Sequence, residues 1–141
     1  MRYRYGLFES RKDEILLLAR VLLVILFVIF GWDKFINFSG TASYMEAVGL
    51  PLPTFAALVA LVMEFVVGIA ILLGFYTRPL ALLLAIYTIV TAMIGHRYWL
   101  VVDNPSARID VMINFYKNFS ITGGLLLLCV TGPGKYSLDR R

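Results

Sequence analysis

The sequence predicts an all-α membrane protein, a four-transmembrane-helix bundle, on three observations. Of its 141 residues 60% are hydrophobic, with a mean hydropathy of +0.83, against roughly 45–50% apolar residues in soluble domains. The apolar residues fall into four blocks, each close to the roughly 20 residues that cross a ~30 Å hydrocarbon core at 1.5 Å rise. The charged residues gather mainly in the short segments between blocks, where topology places them.

The first block runs from about Ile15 to Phe35 behind a polar start carrying Arg2, Arg4, Arg11 and Lys12. A signal peptide shares that basic start. This block is too long for one, holds Arg20 and ends without a small-x-small cleavage site, so it reads as a retained helix. The stretch Ile36 to Pro53 reads as a loop with a short helical piece around Ala42–Val48, closed by the turn chemistry of Gly49-Leu50-Pro51-Leu52-Pro53. Thr54 is the expected N-cap of the second block, about Phe55 to Gly74. Thr77 as N-cap and Pro79 in the first turn start the third block, about Leu80 to Gly95. The short link makes helices two and three an antiparallel pair. The fourth block runs from about Val111 to Val130 and stops at Thr131-Gly132-Pro133-Gly134.

Eight basic residues (Arg2, Arg4, Arg11, Lys12, Arg78, Lys135, Arg140 and Arg141) fall on one side. Four (Lys34, Arg97, Arg108 and Lys117) fall on the other. The positive-inside rule then predicts both termini in the cytoplasm. The net charge of +4 is a topological signal, and no basic helix with interleaved aromatics suggests nucleic acid. One cysteine, Cys129, and one histidine, His96, exclude an intramolecular disulfide, a Cys-x-x-Cys pair and a bis-His haem within the chain, and no metal site is expected.

Close packing between membrane helices favours small residues. Ala56, Ala60, Glu64 and Gly68 share one face of helix two. Ala81, Ala85, Thr88, Ala92 and Gly95 share one face of helix three, and Asn114, Asn118 and Thr122 one face of helix four. Gly123 and Gly124 are expected on an inward seam as well.

Glu64 is the most informative residue. An acid at the centre of a spanning helix costs about 2.5–3.5 kcal/mol to insert and is a functional-site candidate by default. Side chains lean toward their own helix N-terminus, which carries Glu64, Asn114, Lys117 and Asn118 toward the half of the bilayer where His96 ends helix three. The expected polar pocket is therefore lined by Glu64, His96, Lys117 and Asn118, with Lys34 and Asn114 near its mouth. Arg20, about a turn inside the opposite end, is a second polar position that can snorkel. It shares a helix face with Phe27, Gly31 and Lys34. No nucleophile elbow, zincin, P-loop or dinucleotide motif is present.

Nine features recur in order along the chain: Ala19-Arg20; Gly31 with Lys34-Phe35; Gly49-x-Pro51; Glu64 with Gly68; Gly74; Thr77-Arg78-Pro79; Gly95-His96; Asn114 with Lys117-Asn118; and Gly132-Pro133-Gly134. Their order and spacing resemble the DoxX family over nearly the whole chain. The resemblance implies a multi-pass protein of the bacterial inner membrane. It also implies redox-protein partners and a quinone as the cofactor or ligand to test; a homo-oligomer is the other expected partner, since four helices are few for a transporter. It supplies no agreed catalytic residues. The reading that follows is an accessory or ligand-binding subunit, redox- or quinone-linked. Two alternatives stand beside it: a membrane oxidoreductase using Glu64 and His96 for proton transfer, and a small-molecule transporter.

Overall fold

The computed structural model describes residues 8–139; Arg2, Arg4, Arg140 and Arg141 of the basic count lie outside them. A 3-10 turn, Glu9–Arg11, leads into α1, Lys12–Ile36. Then come α2, Phe38–Ala47, and α3, Pro53–Leu73. These are followed by α4, Thr77–Gly95, a 3-10 turn at Tyr98–Leu100, and α5, Pro105–Thr131. No strand occurs among the described residues. Four segments, Glu9–Ile36, Pro53–Leu73, Thr77–Leu100 and Pro105–Thr131, are long and apolar enough to cross a membrane.

Several boundaries differ from expectation. The loop after α1 is mostly the ten-residue helix α2, which begins at Phe38 and is separated from α1 by Asn37 alone. Asn37 leaves the helical region (φ −123°, ψ 54°), and its carbonyl accepts the Thr41 N–H at 3.1 Å. Thr54 does not cap α3. Pro53 already occupies the first turn, where a missing N–H costs nothing, and Leu52 precedes it with a left-handed φ of 54°. Thr77 is the first residue of α4, not its cap. The N–H groups of Tyr76 and Thr77 instead donate to the two carboxylate oxygens of Asp139, each at 2.7 Å, an anion at a helix N-terminus. α5 begins six residues before the apolar block, because the Asn104 side chain accepts the Ala107 N–H at 3.0 Å and Pro105 fits the first turn. Asn114, Lys117 and Asn118 consequently sit in its third and fourth turns.

The inward faces meet in a core that includes Val24 and Phe27 of α1, Ile71 of α3, Leu84 of α4 and Leu125 of α5. The small-residue seams of α3 and α4 face this interior: Ala60, Gly68, Ala81, Ala85, Thr88 and Ala92 are buried. Gly123 is the exception. It is exposed, and a Cβ there would meet nothing within 4 Å. Gly124 makes the contact instead, against Leu23 of α1.

At Gly68 an added Cβ would lie 3.3 Å from Val28 Cγ2. Alanine fits with a small shift of that side chain, whereas leucine forces the helices apart. Gly68→Leu is therefore expected to cost about 1–3 kcal/mol in denaturant unfolding of the detergent-solubilised protein, and Gly68→Ala well under half of that. Equal stability of both variants and the wild type would show that the α1–α3 contact is not close-packed there.

Within α3 the hydrogen-bond ladder widens at Val62–Val66 into a single π turn, in which the Val67 N–H reaches the Val62 carbonyl. α1 packs tightly against α3 at this place. A Cβ on Gly31 would lie 2.5 Å from the Phe65 backbone nitrogen, so only glycine permits the approach. One turn beyond Gly31 on α1 is Lys34, and one residue before Phe65 is Glu64.

Candidate functional site

A cavity of about 710 Å³ opens in the half of the bundle away from the termini, lined by parts of all five helices. Glu64, His96, Asn114, Lys117, Asn118 and Lys34 all line it. Most of the remaining wall is apolar, including Phe27 and Phe30 of α1, Val59 of α3 and Ile94 of α4. Tyr44, Met45 and Val48, on α2 and just beyond it, line it as well, and Arg97 Nη2 donates to the Val48 carbonyl at 3.3 Å.

Glu64 projects from the π turn with both oxygens engaged. Oε2 accepts from Lys34 Nζ at 2.7 Å, and Oε1 accepts from the Tyr87 hydroxyl at 2.8 Å. The Lys34 and Glu64 side chains are 21% and 14% exposed, so the pair is largely withdrawn from the surroundings. The cation on Glu64 is thus Lys34, which turns inward from the expected mouth. Lys117 belongs to a second group, donating to Asn114 Oδ1 at 2.7 Å. His96 is the C-cap of α4 and lines the same cavity as Lys117.

Two components escaped the sequence reading. Tyr87 carried a usable signal: a phenol in the middle of an apolar helix needs a partner as much as an acid does. The π turn carried none, since Val62-Met63-Glu64-Phe65-Val66 is ordinary helix sequence. Such turns recur at functional sites because they aim a side chain off the regular helical register.

The second polar position lies at the opposite end. Arg20 does not snorkel; it is 2% exposed. Its Nε donates to the Leu72 carbonyl at 3.1 Å, Nη1 to Pro133 at 2.7 Å and Nη2 to Tyr136 at 2.6 Å. The segment after α5 folds beneath the bundle and is fastened at other points too. Leu138 and Asp139 donate N–H bonds to the Leu73 and Gly74 carbonyls at 3.1 and 2.8 Å. The Lys135 N–H donates to Asp13 at 2.9 Å, and Arg78 donates to the terminal carbonyls of α5 at Cys129, Val130 and Thr131. Gly74 has a left-handed φ of 72°, and a side chain there would run into Ser137. Among the described residues no group of three His, Cys, Asp or Glu could hold a metal ion.

The DoxX family profile matches residues 15–97, more than half of the chain. The chain belongs to the DoxX family. The matched stretch contains Lys34, Glu64, Tyr87 and His96, while the α5 wall and the segment beneath the bundle lie beyond it. The chain is 50% identical to the inner membrane protein YphA of Escherichia coli, over 98% of this chain and 97% of that protein. It is 43% identical to the inner membrane protein YqjF of the same organism, over 94% and 95% of the two chains. A Surfeit locus protein 4 homolog of Schizosaccharomyces pombe is 34% identical over 50% of this chain and 24% of its own length. No solved structure matches. With these full-length DoxX relatives and four membrane-length helices, the protein is a multi-pass inner membrane protein.

Proposed function

We propose that this DoxX protein is an accessory, ligand-binding subunit of the inner membrane that takes a lipid-soluble molecule into its cavity. One observation carries the reading: an apolar cavity of about 710 Å³ with a few polar groups along its wall, the ordinary make-up of a small-molecule site. A redox link would run through the occupant, a quinone being the case to test, or through a redox-protein partner or a second copy of the chain.

Two features weigh against the alternatives. Both oxygens of Glu64 are occupied by Lys34 and Tyr87, which suits a fixed anion better than a proton carrier in an oxidoreductase. The end opposite the cavity is filled by Arg20 and the segment around Pro133 and Tyr136, which leaves a transporter no evident second exit.

The test is to purify the protein in a mild detergent, extract it with organic solvent and identify by mass spectrometry what has co-purified. A lipid-soluble small molecule near one per chain is expected, and it should be lost in Ala56→Phe, which fills the cavity wall. Equal yield from both proteins, or none from either, would overturn the reading.

The reading also places both termini in the cytoplasm, on the basic-residue asymmetry. Reporter fusions after the C-terminus and in the loop at Asn104 should report opposite sides, and a periplasmic C-terminus would invert the arrangement.

A further inference from the structure

We infer that the occupant of the cavity is a single-chain amphiphile with an anionic head, held at Lys117; this rests on the reading of the cavity as a ligand site and names the ligand's class. The argument begins with the charge of the wall. Three of the lining side chains carry full charges, Lys34, Glu64 and Lys117. Lys34 and Glu64 neutralise one another at 2.7 Å, the sole salt bridge among the described residues. Lys117 has no such counterion. Its Nζ donates to the Asn114 side-chain oxygen, a neutral acceptor. The wall therefore carries one net positive charge.

Lys117 is exposed, so an incoming head reaches its ammonium without rearranging the bundle. It is the thirteenth residue of the 27-residue α5, inside a segment long and apolar enough to cross a membrane. An ionisable residue within such a segment is a functional-site candidate by default. An ammonium has three donors. One is used on Asn114, and the others are free for a ligand.

The neighbours suit an anion. His96 and Asn118 line the same cavity and add neutral hydrogen-bonding groups, so a head with two or three oxygens finds more than one contact beside the ammonium. The only acid in the wall, Glu64, is already neutralised by Lys34. A neutral head, such as a quinone's, would leave the Lys117 charge uncompensated.

The remaining wall sets the tail. Phe27, Phe30, Val59 and Ile94 offer apolar contact. At about 30 Å³ for each water-sized group, a cavity of about 710 Å³ has room for one long chain and a small head. The shared chemistry of the head is a carboxylate or a phosphate monoester on a single chain.

The test uses the full chain in a neutral detergent and measures equilibrium binding of oleate, methyl oleate, oleoyl lysophosphatidate and decylubiquinone. Ala56→Phe corrects for partition into the micelle. Oleate or the lysophosphatidate should bind at least about tenfold more tightly than methyl oleate, the size of effect that one charge-assisted hydrogen bond gives. Lys117→Gln should abolish that preference while the protein elutes and melts as the wild type does, and Lys117→Arg should preserve it. Displacement of oleate by the lysophosphatidate at lower concentration assigns the head to phosphate; the reverse order assigns it to carboxylate. Equal binding of oleate and methyl oleate overturns the anionic head but leaves the ligand site standing. So does a preference that survives Lys117→Gln, or decylubiquinone binding above all the others. If no probe distinguishes the wild type from Ala56→Phe, the ligand site itself falls.

Discussion

Glu64→Leu should destabilise the protein by about 3 kcal/mol, the lower end of the range for removing one partner of a buried ion pair. The loss comes mainly from what remains. Lys34 is left as an unpaired cation inside the bundle, and the Tyr87 hydroxyl loses its acceptor. Adding Lys34→Met to Glu64→Leu removes the stranded charge, so the double variant should be more stable than Glu64→Leu alone. Glu64→Gln should fall between the wild type and Glu64→Leu, because the amide oxygen still accepts from Tyr87 while the charge on Lys34 goes unanswered. Denaturant unfolding of the wild type, Glu64→Leu, Lys34→Met and the double variant in one detergent gives the coupling energy directly. Additive single losses would mean that the 2.7 Å contact contributes nothing to stability.

Arg20→Leu should cost as much or more, and its effect should be felt far along the chain. A guanidinium satisfies three carbonyls here, on Leu72, Pro133 and Tyr136, and each charge-assisted bond contributes about 1.5–3 kcal/mol in favourable settings. Some of those carbonyls will find water once the segment is released, so a total of about 3–5 kcal/mol is expected. Arg20→Lys should recover only part of it, since a single ammonium cannot span three acceptors set in a fork. The direct readout is limited trypsin digestion after Lys135. The wild type should resist, because Lys135 is anchored to Asp13 and followed by Tyr136, which Arg20 holds. Arg20→Leu should be cut rapidly. Unchanged protection would show that the remaining contacts of the segment suffice without the arginine.

These two residues mark what sequence reasoning reaches and where it stops. Block length and hydropathy sufficed for four spanning helices, and helical spacing alone turned Ala60, Ala85 and Ala92 inward. The six polar residues nominated for a pocket line one cavity because depth in the bilayer and helix face are local properties of the sequence. What each touches is not. Glu64 was weighed against Lys117, yet the α1–α3 approach at Gly31 brings Lys34 to it first, and that depends on a π turn with no local signature. Whether Arg20 snorkels or pairs inside the bundle is open in the sequence, because its acceptors lie 52, 113 and 116 residues away. The N-cap of α4 was sought at Thr77 and is supplied by Asp139, which no window around the helix contains. The early start of α5, by contrast, was legible in Asn104-Pro105. The apolar block that defines the span begins only at Val111, so hydropathy alone misses this first part of the helix.

The fastening beneath the bundle also fixes an order of events during synthesis. Arg20 enters the membrane with the first span, but two of its three acceptors, Pro133 and Tyr136, leave the ribosome only after the fourth span has been made. The first turn of α4 likewise waits for Asp139. Between insertion of α1 and release of that segment, the nascent protein carries a cation in the bilayer without its final partners. A chain ending before residue 133 would hold all four spans and still leave Arg20 without two of its three acceptors.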